Sequence, residues 1–299
     1  MIHLLGDGLA GRLLARTLKQ VGVEFVQYGD GCSNTPPVGF VHLFQGRTFH
    51  RDPIEVEAFA RAIRFWRGVP WAREWEVERT VTPGDRLARS ADTESVPAEW
   101  RPVKVAEDTY RYGPGFVVQA RELTEAVPVE VVKARVDPGE LKGTIIHATG
   151  LGIASLLPGY RWDTNPGRTV KAKASSLPDR LYLKAGCHLG IDPDGQGLTI
   201  GGRVSSKGEA KDDETRLASQ ILGVPVDFVS EWWGKRIANA LDRWPLVGWL
   251  NEDTFVFAGF GGRAMFWLPY CCELASQSLD SRTNDAIPEK LRADRFRAD

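Results

Sequence analysis

Cysteine is scarce in this sequence. There are four in 299 residues: Cys32, Cys187, Cys271 and Cys272. They form no CxxC pair and no Cys/His spacing suited to zinc. The neighbours Cys271 and Cys272 are poorly placed to bridge each other, so free thiols in a reducing cytoplasm are expected. No run of 18 uncharged apolar residues exists, which excludes a membrane-spanning helix. The most apolar stretch, 255–275, is interrupted by Arg263 and Glu273. The opening MIHLLGDGLAGRLLARTL has no basic leader and breaks its apolar residues with Gly and Asp, unlike a signal peptide. An excess of either charge is missing too: 38 Lys+Arg against 39 Asp+Glu leave a net charge of -1. That balance disfavours a nucleic-acid partner, which calls for a basic excess on one face. Internal repeats and low-complexity segments are absent.

What is present describes an ordinary folded protein. Hydrophobic residues make up 42% and charged residues 26%, enough apolar material to offset chain entropy. The length suits about two domains. Ten tryptophans imply large buried aromatic surfaces or an aromatic-lined pocket.

The chain opens with the apolar run IHLL at 2–5, then Gly6, then leucines at 9, 13, 14 and 18 with helical spacing. Gly22 stops that helix and 23–28 (VEFVQY) reads as a second strand, completing a βαβ unit with parallel strands. Residues 53–67 read as a helix with Pro at its first position. Segments 75–120 and 168–204 alternate strands with turns. Residues 121–127 and 212–222 read as helices, and 129–136 and 144–148 as strands. The stretch 232–250 reads as loop-rich. A strand at 254–258, a GFGG turn and a helix over 265–279 follow, and the charged tail from 281 hugs the surface or frays. An α/β beginning and end around an antiparallel middle predicts a nucleotide domain assembled from discontinuous segments, with a β-rich domain inserted.

Three motifs carry chemistry. Gly6-x-Gly8-x-x-Gly11 follows a strand and opens a helix, the context of a dinucleotide site. Gly6 permits the tight turn, Gly8 lets a pyrophosphate approach the backbone, and Gly11 lets helix and strand pack closely. The helix start presents free N–H groups to the phosphates. An acid about 20 residues on would bind the ribose; Asp30 lies 19 residues after Gly11, two beyond the strand end at Tyr28, where a solvated turn aspartate is an equal reading. The second motif is TIIHATG at 144–150, a buried strand ending in small residues. The third, TFVFAGFGGRAM at 254–265, is another strand–glycine–helix junction. A nicotinamide enzyme needs no such second junction. An extended FAD does, and N–H groups there could stabilise negative charge on the reduced flavin.

GDGLAG near the start, CSNTPPVGFVH at 32–42, HATG at 147–150, GKRIANALDRWPLVG at 234–248, AGFGGRAMFWLP at 258–269 and LRADRF at 291–296 together resemble, in order and spacing, the D-amino-acid-oxidase-type FAD oxidoreductases, which include glycine and sarcosine oxidases. The resemblance spans nearly the whole chain. It implies an α/β fold: a Rossmann-like FAD-binding domain over 1–50, 120–165 and 235–299, and a smaller antiparallel β-sheet substrate domain over 51–119 and 166–234. By the same resemblance Ser33 and Gly39 match the loop that wraps the FAD diphosphate, Thr149 and Gly150 a second FAD contact, and Gly259, Gly261 and Gly262 the turn beneath the flavin. Arg236 falls at or within one residue of the arginine that pairs with a substrate carboxylate in amino-acid oxidases, a task suited to a planar guanidinium; a structural salt bridge is the alternative. His42 and Arg47 are further candidates beside the flavin-approaching loop. His147 and the Cys271–Cys272 pair read as core residues, and Trp232, Trp233, Trp244 and Trp249 as core or as walls of an amine pocket.

The sequence departs from the family pattern in places. Gly29 stands where the family has its ribose-binding acid, and Ala264 replaces the last glycine of the third turn. The interval from Arg236 to Asp242 is one residue longer than in glycine oxidase-like sequences. Lys235 stands near the place of the flavin-linking cysteine of sarcosine oxidases, so non-covalent FAD is expected.

The resemblance implies an FAD-dependent oxidoreductase that oxidises a small-molecule amine or amino acid by hydride transfer to flavin, with oxygen or another acceptor taking the electrons. Three alternatives stay open. The substrate could be a hydroxy acid or polyol; the chain could be a flavin-binding subunit inactive without a partner chain; or, against the charge balance, the substrate could be a modified tRNA.

Overall fold

The structure is a computed structural model and describes residues 1–31, 35–46, 49, 51–81, 93–184, 186–195, 197–203 and 212–296. Cys32, Ser33 and Arg47 lie outside the described residues. In chain order the elements are β1 (Ile2–Leu5), α1 (Leu9–Gln20), β2 (Val26–Gly29), β3 (Val38–His42), α2 (Pro53–Arg67), β4 (Ala72–Thr80), β5 (Val103–Ala106), β6 (Thr109–Gln119), α3 (Ala120–Glu125), β7 (Val131–Lys133) and β8 (Thr144–His147). There follow α4 (Ile153–Leu156), β9 (Trp162–Ala174), β10 (Leu181–Lys184), β11 (Cys187–Ile191), β12 (Leu198–Arg203), α5 (Asp212–Leu222), β13 (Val226–Asn239), β14 (Leu246–Trp249), β15 (Thr254–Ala258) and α6 (Ala264–Ser281).

The chain divides into two compact units: Met1–Thr35, Arg121–Asn165 and Lys235–Asp299 form the first, Pro36–Ala120 and Pro166–Gly234 the second. Residues 36–50, expected in the first domain, group with the second unit. They do so because β3 pairs antiparallel with β6. The second unit is also no smaller than the first.

The first unit is built on a six-stranded sheet of order β14-β15-β8-β1-β2-β7. Its strands are parallel except for β14 against β15. The apolar run Ile2–Leu5 becomes a central strand, as a continuous hydrophobic segment should when both faces are covered. Leu13, Leu14 and Leu18 of α1 are buried on one stripe, each contributing roughly 1.5–3 kcal/mol. Helix α6 packs against α1 and buries Phe266, Trp267 and Leu268. A second cluster joins Ile153, Ile237, Leu246, Val256 and Ala293. The described part of the tail is held to the first unit: Tyr160 donates to the Ala293 carbonyl (2.6 Å), Arg295 binds Asp242, and Leu291 and Ala293 are buried.

The second unit carries a nine-stranded sheet of order β13-β9-β12-β11-β10-β4-β6-β3, with β5 on β6. It is largely antiparallel, but β10 pairs parallel with β4, which the turn pattern does not reveal. Helix α2 starts as expected at Pro53, and Asp52 closes a capping box with Glu55. The loop-rich reading of 232–250 is corrected: β13 occupies 226–239 and β14 246–249. As the edge strand of its sheet, β13 leaves Phe228, Val229 and Trp233 exposed, so it lacks the alternation that marks a half-buried strand.

Candidate cofactor and active site

Three glycine junctions of the first unit sit at the C-terminal ends of neighbouring strands. Strands β15, β8 and β1 run side by side and parallel, and each ends in its own junction at 258–262, 148–150 and 6–8. Adjacent parallel strands lie about 4.8 Å apart, so the outer two junctions are about 10 Å apart on one sheet edge. In open α/β sheets this edge is the ligand edge.

The glycines of the first junction are required by close contact. Gly6 has φ +118°, and a Cβ there would lie 2.3 Å from the Ala148 carbonyl oxygen. A Cβ on Gly11 would lie 2.1 Å from the Gly6 carbonyl oxygen. The turn is pinned to β2 by the Gly6 amide donating to Tyr28 O (2.8 Å) and by Gln27 donating to Gly6 O (2.8 Å). Gly8 is the N-cap of α1 and no side chain caps that helix start, which suits an anion.

At the second junction Gly150 is left-handed, and the Thr149 hydroxyl oxygen is buried with no hydrogen-bond partner among the described residues. His147 Nδ1 is in the same condition, and burial lowers the His147 pKa. A buried polar atom costs free energy until something pairs it, so Thr149 fits a ligand-contact role.

At the third junction Gly259 and Gly261 are left-handed, and Arg236 from the end of β13 reaches the turn. A Cβ on Gly262 would lie 2.7 Å from Arg236 Nη1. Burial lowers the pKa of the Arg236 guanidinium, yet arginine stays charged in proteins. Arg263, which the sequence reading did not single out, adds a second guanidinium at this turn, 5.0 Å over Phe266 and 5.2 Å over Trp267. Its signal was its position immediately after GFGG.

Asp30 lies one residue past β2 and is exposed. Gly39 and His42 belong to β3 in the second unit. His42 is fully buried there; its Nδ1 faces Tyr112 OH (3.2 Å) and its Nε2 faces His188 Nε2 (3.2 Å). The tryptophans have other neighbours. Trp249 donates to Ser278 O (3.0 Å), Trp244 packs on Trp267, Trp232 lies against Gly234, and Trp233 takes the Arg168 guanidinium at 5.3 Å. No group of three or more metal-ligating side chains occurs among the described residues, and no described helix is long and apolar enough to cross a membrane.

No family model matches the chain. Two curated relatives are 24% identical to it. Both are the tRNA 5-methylaminomethyl-2-thiouridine biosynthesis bifunctional protein MnmC, one from Caulobacter sp. (strain K31), matched over 97% of this chain, the other from Maricaulis maris (strain MCS10), over 92%. The chain spans about half the length of these relatives (55% and 51%). Among solved structures, glycine oxidase from Geobacillus kaustophilus superposes with a TM-score of 0.78 at 16% identity, covering 99% of both chains. Iminodiacetate oxidase from Chelativorans sp. BNC1 gives 0.72 at 14%, covering 98% of both. L-amino acid deaminase from Proteus vulgaris gives 0.76 at 12%, covering 99% of this chain and 93% of the other. The chain shares its fold with glycine oxidase, iminodiacetate oxidase and L-amino acid deaminase.

Proposed function

We propose that the chain is an FAD-dependent oxidoreductase that oxidises the C–N bond of an amine or amino acid. The observation that carries this reading is the meeting of three glycine junctions on one sheet edge. One junction alone would serve any nucleotide; three in a row suit an elongated dinucleotide. The buried Thr149 hydroxyl and the uncapped start of α1 fit the group. Gly6, Gly8 and Gly11 would admit its pyrophosphate, Thr149 and Gly150 its middle, and Gly259, Gly261 and Gly262 its isoalloxazine end. Lys235 in place of a linking cysteine favours non-covalent binding. When bound, FAD supplies a two-electron acceptor for a hydride from the carbon beside a neutral amine.

The residues of the chain supply binding and electrostatics. Arg236 would hold a substrate carboxylate by two parallel N–H···O bonds, which fixes the carbon to be oxidised. Its buried setting strengthens that contact, because little water competes. Arg263 adds positive charge at the same turn. Backbone N–H groups of the turn would stabilise negative charge developing there. No general base is needed if the amine arrives neutral. The buried thiols agree with a reducing cytoplasm.

The test is the absorption spectrum of purified protein, followed by anaerobic bleaching with glycine, N-alkyl glycines, iminodiacetate and a set of hydroxy acids. Flavin absorbance that bleaches with amines alone supports the reading. Bleaching by hydroxy acids moves the substrate class, and colourless protein that takes up no FAD removes the cofactor.

A second reading is favoured by the curated relatives: the amine is part of a modified tRNA nucleotide. Bleaching by tRNA and not by free amines would select it.

A further inference from the structure

A nucleotide fold that grips an adenosine ribose ordinarily ends its second strand in an acid, whose carboxylate hydrogen-bonds the ribose hydroxyls. Here β2 ends in Gly29, which is buried and has no side chain to offer. The space beside Gly29 is nevertheless filled. A Cβ built on it would lie 2.3 Å from Asp7 Cγ, and 2.4 Å from both Asp7 Cβ and Oδ2. Asp7 is the residue between the first two glycines of GDGLAG. It leaves the turn after β1 and lays its carboxylate across the end of β2, where a side chain at 29 would begin. The Gly31 amide donates to its Oδ2 at 3.3 Å, and its Oδ1 accepts no hydrogen bond among the described residues.

We propose that Asp7 supplies the carboxylate that Gly29 lacks, and that it binds the ribose hydroxyls of the adenine dinucleotide. The inference rests on the FAD reading above. The two positions act as a pair: an acid delivered from β1 is accommodated because β2 ends in glycine, since any Cβ at 29 would sit inside Asp7. Asp30, the acid expected from spacing, lies beyond the strand end and is exposed. Asp7 fills the space that a side chain at Gly29 would take and is held in place by the Gly31 amide.

The experiment titrates apo-protein with FAD and with its 2′-deoxyadenosine analogue, following flavin fluorescence. The wild type should bind FAD and discriminate against the deoxy analogue. Asp7→Asn, which keeps the shape and removes the charge, should weaken FAD roughly 10- to 100-fold, the span of a charge-assisted hydrogen bond, and abolish the discrimination. A purely structural role for Asp7 would lower the unfolding temperature without touching that discrimination. The double variant D7G/G29E, with glycine at 7 because the Asp7 Cβ also occupies the space, should recover affinity to within a few-fold of wild type. If the double variant does not fold, the Asp7→Asn comparison decides. Wild-type affinity and discrimination in Asp7→Asn, or a loss falling on Asp30→Asn instead, overturns the inference and leaves the FAD reading standing. Failure of the wild type to bind FAD at all removes both.

Discussion

The guanidinium of Arg236 rests against the backbone of Gly262, with Nη1 2.7 Å from where a Cβ on that glycine would stand. Arg236→Ala should raise KM for a carboxylate-bearing amine roughly 10- to 100-fold, as loss of a charge-assisted pair requires. Arg236→Lys should recover little, because an ammonium cannot make the two-pronged contact. Steady-state kinetics on the best amine decide; an unchanged KM takes Arg236 out of the site.

Gly262→Ala and Gly261→Ala should separate. At 262 the obstructing atom is the end of a flexible side chain, so the variant should fold normally while KM rises. At 261 the backbone has φ +57° and the new Cβ meets Ala238 Cβ at 3.2 Å. That variant should lose roughly 1 kcal/mol or more of stability. Chemical denaturation beside kinetics reads both effects.

His147 is buried with its pKa lowered by desolvation. The unfolded chain, with an ordinary histidine pKa near 6.5, therefore binds a proton more readily than the folded one. Stability from this residue is complete above about pH 6.5 and falls as pH drops through that value toward the lowered folded pKa. His147→Gln should flatten the acid limb of a plot of unfolding midpoint against pH. An unaltered slope would assign the acid sensitivity elsewhere.

Burial pushes the thiols of Cys187 and Cys272 up to about 12, and that of Cys271 well above its usual value. The thiolate is the reactive form, so all three should resist an aromatic disulfide reagent at pH 8 and react once the chain is unfolded. Peptide mapping after native and denatured labelling checks each residue.

Asp52→Ala removes the side-chain oxygen that accepts from the Ile54 amide at 3.0 Å. The expected cost is about 0.5–2 kcal/mol, seen as a lower urea midpoint at constant slope.

Local signals were legible in the sequence. The IHLL run, the leucine stripe of α1, Pro53 after Asp52 and the GFGG turn each reported their own conformation. What escaped was non-local. Strand β13 mixes Trp, Glu, Gly and Lys because it lies at a sheet edge, so its periodicity is weak. The parallel pairing of β10 with β4 joins segments about a hundred residues apart. At the candidate site the glycines were visible because each answers to its own turn, whereas Asp7 was hidden. Its position in the glycine motif tolerates any residue, and its meaning depends on Gly29, twenty-two residues away. A glycine where an acid belongs, with an acid beside the first glycine, was the available signal.

The order of the strands has a consequence for synthesis. Strand β15 borders β8 in the sheet, yet more than a hundred residues of chain separate them. Until Thr254–Ala258 leaves the ribosome, β8 carries a bare edge open to wrong partners, the exposure that chaperones guard. Translation that stops before that point yields a polypeptide that holds the first glycine motif and lacks its far counterpart.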